Sequence, residues 1–287
     1  MGKTRHWLLL ALGSLSIIAC SGSVASAATL LEQDAMSSAE QSFSASSFST
    51  LLESSGPPEF GRCIKTTGGQ YEDSRCTMTG TGKSYEWYPA FGSSKPLEHA
   101  GFSGVLKEAT SAVFETVGES VVTCTGETVT GKYTGNKTIG EVFLTFTGCT
   151  SFGLTCTTSG RPAGTIATKQ LEGVLGIEAL GAEPVSNKIG EQLFAVGHSG
   201  PLAEFACEGI SVVLTGSIIS PVAENMMKLT TTIHSKASKG KQNPLNFVGE
   251  TPEPLMGSIE GSSPEQGGEA AATMQTNEER IEINTIY

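Results

Sequence analysis

Val142-Phe143-Leu144-Thr145-Phe146-Thr147 sets Val142, Leu144 and Phe146 on one face of an extended chain and Thr145 and Thr147 on the other. That alternation is the period-two pattern of a half-buried antiparallel strand. Working outward, strands are expected at 164–168, 171–177, 192–196, 202–208, 210–219, 226–234, 255–260, 269–276 and 280–286, with turn residues between them. Short strands at this spacing predict an all-β fold, an antiparallel β-sandwich or barrel-like sandwich. Composition agrees: 35 glycines and 12 prolines in 287 residues describe many turns. They exclude long amphipathic helices as the main architecture.

Upstream, Lys3 and Arg5 precede a nearly unbroken apolar run over 8–19, and Ala25-Ser26-Ala27 offers small residues where a signal peptidase reads. Residues 1–27 are therefore expected to be a cleaved signal peptide, and the chain to be exported. The run of about 12 residues is too short to span a bilayer, and no later stretch reaches the roughly 18 needed, so no transmembrane span is expected. Ile17-Ile18-Ala19-Cys20 resembles a lipobox, which makes Cys20 a lipidation candidate and a lipid-anchored surface form the alternative to release. Residues 28–58 are Ser-rich, without strand or helix period, and end in Gly56-Pro57-Pro58. They read as a flexible linker.

Six cysteines remain beyond the leader, an even number that reads as a disulfide set in an exported protein. A hairpin turning at Gly68-Gly69-Gln70-Tyr71 places Cys63 opposite Cys76. One turning at Thr134-Gly135-Asn136-Lys137 brings Cys124 within a residue of Cys149, and Cys156 with Cys207 follows by elimination. A zinc site is disfavoured because no C-x-x-C pair occurs. Residues 59–95 form a small Cys-clasped hairpin unit, too small to bury its own core and expected to dock on the main β domain, 96–287. A faint echo links Cys124-Thr125-Gly126 to Cys207-Glu208-Gly209 and suggests two equivalent meanders.

The inventory of reactive residues is thin. Asp occurs only at 34 and 73, so Asp-rich calcium loops and Asp-oriented triads lack candidates. Only His99, His198 and His234 follow the leader, and no phosphate-loop, nucleophile-elbow or zinc-protease motif is present. Gly197-His198-Ser199-Gly200-Pro201 echoes a serine-protease nucleophile segment but lacks its Asp and its second paired Gly; it reads as a turn. No catalytic, cofactor or metal residue is assigned. A net charge of −11, made more acidic by loss of the leader's Lys3 and Arg5, excludes the basic footprint of a nucleic-acid binder.

Three segments invite a binding role. Tyr85, Trp87 and Tyr88 are a candidate ligand surface for cell-wall or extracellular polysaccharide; the rival, preferred reading is that Trp87 docks the small unit on the main domain. The patch 234–241, with Lys236, Lys239 and Lys241, reads as a charged strand end that blocks edge pairing rather than as a phosphate site. Asn136-Lys137-Thr138 matches a glycosylation sequon and reads as a turn.

With Phe60-Gly61-Arg62-Cys63, Tyr85-Glu86-Trp87, Tyr133-Thr134-Gly135, Phe146-Thr147-Gly148-Cys149, Lys236-Ala237-Ser238-Lys239-Gly240-Lys241-Gln242 and Gln275-Thr276-Asn277-Glu278 in view, the chain resembles a group of secreted proteins found as many paralogues in soil actinobacteria. The resemblance implies export and a shared fold; the group has no assigned activity to carry over. The sequence thus leads to an exported, non-enzymatic extracellular or envelope-associated β module with a structural or binding role. The alternative is a secreted hydrolase using Glu residues in a glycosidase-like way.

Overall fold

The computed structural model describes residues 58–98 and 100–286. The expected leader with its Cys20, residues 28–57 of the expected linker, and His99 lie outside them. Two strands open the described chain, β1 (Glu59–Lys65) and β2 (Tyr85–Pro89). There follow β3 (Gly101–Leu106), β4 (Ala112–Thr116), β5 (Val121–Cys124), β6 (Gly126–Tyr133), β7 (Thr138–Thr147), β8 (Thr150–Ser151), β9 (Leu154–Thr157), β10 (Ile166–Ala167) and β11 (Leu171–Ala179). The C-terminal part holds β12 (Lys188–Ala195), β13 (Ala203–Cys207), β14 (Ile210–Thr215), β15 (Ser217–Pro221), β16 (Lys228–Ser235), β17 (Ala237–Ser238), β18 (Lys241–Gln242), β19 (Met256–Ile259) and β20 (Glu265–Asn284).

The fold is a closed antiparallel barrel of eight strands. β3 pairs with β6, β6 with β7, β7 with β11, β11 with β12 and β12 with β15. β16 pairs with β20, which returns to β3. β15 and β16 meet through the Val222–Ile233 bridge and the Ala223 N–H, which donates to the Thr232 carbonyl at 3.0 Å. Val142, Leu144 and Phe146 of β7 face inward and are buried, as the opening hexapeptide requires. Closure leaves this sheet no edge to protect, and eight strands enclose little more than their own side chains.

The short strands make a second circuit. β20 pairs through Gly267–Ala270 with β4, then β4 pairs with β5, β5 with β8, β8 with β9, β9 with β13, β13 with β14, β14 with β19, and β19 returns to β20. β20 belongs to both circuits. Sequence reading splits it at 277–279 into two strands; the structure runs straight through, with Asn277 buried and its amide oxygen accepting from the Tyr133 hydroxyl at 2.8 Å. Conversely, the expected strand 210–219 is broken at Gly216, whose φ of +86° lies in a region that favours glycine. The echo between 124–126 and 207–209 is not structural. The first passes from β5 into β6, whereas Glu208 and Gly209 form the two-residue turn between β13 and β14.

Three disulfides join Cys63 to Cys76, Cys124 to Cys149 and Cys156 to Cys207, the pairs expected from sequence. They mark an oxidising, non-cytoplasmic environment. For Cys124–Cys149 the register reasoning holds, with a bulge between Thr130 and Lys132 supplying the missing residue. For Cys63–Cys76 it does not: β1 pairs with β2, setting Cys63 opposite Trp87. Cys76 sits in a loop gathered around the Asp73 carboxylate, which accepts N–H groups from Arg75, Thr77 and Met78. Among the described residues no helix is long and apolar enough to cross a membrane.

The N-terminal strands extend the barrel sheet. Glu59–Gly61 of β1 pair with the end of β20. Phe60, fully buried, meets Tyr133 edge-on at 4.7 Å, and its N–H donates to the Asn136 carbonyl at 2.6 Å. Asn136 is thus a turn residue, with its side-chain oxygen also taking the Phe91 N–H. The basic patch departs from expectation, because Lys236–Lys241 lead into and through a hairpin, β17–β18, whose Gly240 N–H donates to Glu115 at 3.0 Å.

Candidate functional site

Two internal spaces are candidates, one in each circuit. Inside the barrel, alternation along β6 turns Glu127, Val129 and Tyr133 inward, and along β20 it turns Glu269, Ala271, Thr273, Gln275 and Asn277 inward. β12 adds Glu191, opposite Ser220 of β15. Three carboxyls therefore line a cavity of about 40 Å3.

Burial raises the Glu127 carboxyl above its ordinary range, partly offset by the Thr273 hydroxyl, which donates to its Oε2 at 2.8 Å. Burial lifts Glu191 to about 7. Glu269, 3% exposed, is pushed to about 8, first by burial and then by the charge of Glu127; its Oε1 has no hydrogen-bond partner among the described residues. Removing a carboxylate from water without a cation to pair with favours the protonated form. Toward the other end, Gln275 donates to Tyr133 Oη at 3.2 Å and to Asn277 Oδ1 at 3.1 Å, so the polar face there is satisfied. Among the described residues no three His, Cys, Asp or Glu side chains are grouped to hold a metal ion.

The second circuit encloses about 200 Å3 of apolar space. Its walls come from inward positions two apart: Phe114 and Thr116 of β4, Phe205 and Cys207 of β13, and Ile210, Val212 and Leu214 of β14. Next to these linings, Ala112, Cys124 and Phe146 are at most 1% exposed and belong to the packed core. Phe114 meets Phe146 edge-on at 4.9 Å. The Cys156–Cys207 bridge cross-links two of this space's wall strands.

The rim of this chamber is built from hairpin turns. Phe152 and Gly153 connect β8 to β9 with φ of +48° and +86°, the positive pair a type I′ turn requires. Phenylalanine is a costly choice there, since the left-handed region is strained for bulky residues. The ring is also 83% exposed while lining the chamber. Glu119, Glu208 and Glu260, each itself at positive φ, adjoin the lining residues Ser120, Cys207 and Ile259 in the chain.

The sequence candidates lie elsewhere. Tyr85, Trp87 and Tyr88 all fall on β2, half-buried. The Trp87 indole N–H donates to Glu59 at 2.7 Å, and its ring lies against Gly61, where a Cβ would collide with it. The Tyr88 ring carries the Lys95 ammonium 4.9 Å from its centre. His198 stacks on Phe194 at 3.7 Å with Nδ1 3.3 Å from Glu253, in the turn expected at 197–201. Sequence reasoning missed Glu127, Glu191 and Glu269 as well as the chamber. The one available signal was parity, because Glu127 shares an alternation with Val129, and Glu269 with Ala271. No family model, no curated protein and no solved structure matches this chain.

Proposed function

We propose that the protein is an exported, non-enzymatic extracellular or envelope-associated module that binds a small ligand in the apolar chamber. The observation that carries this reading is the chamber itself, an apolar space of about 200 Å3 kept open at the turn end of a disulfide-linked circuit. Among the described residues lining it there is no His, Lys or Arg, and the Glu115 carboxylate is committed to the Gly240 N–H. Such a mainly apolar lining suits holding a molecule. In this reading Trp87 and Tyr88 hold the 59–95 unit together, since Glu59 and Gly61 engage the indole and Lys95 covers the Tyr88 ring, the groups a sugar would use.

The secreted-hydrolase reading draws on one observation, the carboxyls at about 7 and about 8, the range in which a general acid works. Against it stands space: about 40 Å3 admits about three waters, far below the several hundred Å3 of a substrate pocket. Incubation of the purified chain with a broad panel of model glycosides and esters separates the two. No turnover is expected; hydrolysis abolished by Glu191→Gln or Glu269→Gln would replace the binding reading with the hydrolase.

A further inference from the structure

We infer that the chamber takes a small, neutral aromatic compound of about one to two fused rings, inserted past Phe152. This rests on the binding reading above and names the ligand class of that site. Size comes first: an apolar cavity of about 150 Å3 accepts benzene, and this one, at about 200 Å3, has room for a substituted or bicyclic ring. The wall comes next, because Phe114 and Phe205 face the space from β4 and β13 and offer edges and faces to an incoming ring. Charge completes the selection. The lining holds no cation among its described residues, and Glu119, Glu208 and Glu260 adjoin its residues Ser120, Cys207 and Ile259 in the chain, so an anion finds no partner on the lining.

Phe152 ties these features to function. An exposed aromatic ring in left-handed backbone has two unfavourable terms at once, and Asn-Gly would serve the same turn better. A residue that makes the free protein worse is explained when it makes the complex better, here by covering the bound ring at the mouth.

The test is calorimetric titration of the purified chain with toluene and indole, alongside benzoate as the anionic counterpart of toluene and 1-hexanol as an aliphatic of similar bulk. Toluene and indole are expected to bind and to raise the Tm, benzoate to show no heat, and 1-hexanol to bind about five- to tenfold more weakly for want of ring contacts. Phe152→Asn is expected to weaken indole about five- to tenfold while raising the Tm of the free chain, a combination that a purely structural turn residue would not give. Val212→Trp, which fills the space, is expected to abolish binding; should that variant not fold, Phe152→Asn carries the test alone. Benzoate or 1-hexanol binding as tightly as toluene would overturn the neutral aromatic class and leave the binding module standing. Absence of binding by all four probes would overturn both.

Discussion

Gly267 and Glu269 are two residues apart on the same face of β20, yet Gly267 borders the apolar chamber and Glu269 the barrel cavity with its buried carboxyls. The barrel strands run up to 10 residues beyond the shared β20 and bring enough side chains inward to fill their lumen. Its small remaining space is lined by aliphatic side chains and by the Glu127, Glu191 and Glu269 carboxyls. The second circuit is built of strands of two to six residues, with glycines at Gly257 and Gly267, and keeps a larger space that water suits poorly. The difference teaches where strain is stored. The barrel carries its cost as protonated carboxyls, and the chamber carries its cost as unfilled volume and a left-handed phenylalanine.

Cutting the chamber's staple should have the largest effect. The Cys156–Cys207 bridge closes 51 residues of sequence separation, and the Cys156→Ser/Cys207→Ser double variant is expected to lose about 4 kcal/mol in denaturant unfolding. The near-neutral carboxyl titrations of the barrel should survive in that variant, because its lining belongs to other strands. Their loss with the bridge would erase the distinction between the two spaces.

The next effect belongs to the barrel and depends on pH. The folded chain holds Glu191 at about 7 against an ordinary 4.5, so between these values it keeps a proton that the unfolded chain has released. Stability is therefore full below about pH 4.5 and falls as pH rises through about 7, by about 3 kcal/mol for this group at 1.36 kcal/mol per unit. Glu191→Gln should match the parent at pH 4.5 and exceed it by that amount at pH 8. Equal slopes of stability against pH in the two proteins would mean that Glu191 is solvated.

A smaller perturbation probes the hydroxyl that holds the Glu127 carboxyl down. Thr273→Val removes the hydrogen bond to Glu127, and the loss is expected to be about 1 to 2 kcal/mol. Carboxyl carbon NMR should show the Glu127 titration moving further upward, since that bond holds it down. On the chamber side, Phe152→Asn should stabilise the free chain by about 1 kcal/mol, measured as a rise in denaturant midpoint without change in slope.

Much of the fold was legible because strand alternation and cysteine placement are local. Val142, Leu144 and Phe146 announce their strand, and the β6–β7 register brings Cys124 to Cys149. β20 was harder because its hydrophobicity points the wrong way. Its outward face carries Met274 and its inward face carries Glu269, Gln275 and Asn277, so polarity along it identifies no core side. The β1 hairpin failed for a related reason: the partner of Cys63 on the ladder is Trp87, and the loop between is held by side-chain bonds to Asp73 that follow no strand period. The candidate site was not legible. A chamber exists only once β4, β9, β13 and β14, scattered over a hundred residues, have closed on one another, and that closure is set by long-range pairing rather than by local pattern.

The claim that the two spaces do different work is tested most directly by an NMR titration of the isotope-labelled chain with indole. Ring-current shifts are expected at Phe205, Val212, Leu214 and Phe152, with Glu127, Glu191 and Glu269 unmoved. Shifts centred on those three carboxyls, with the chamber silent, would contradict the account.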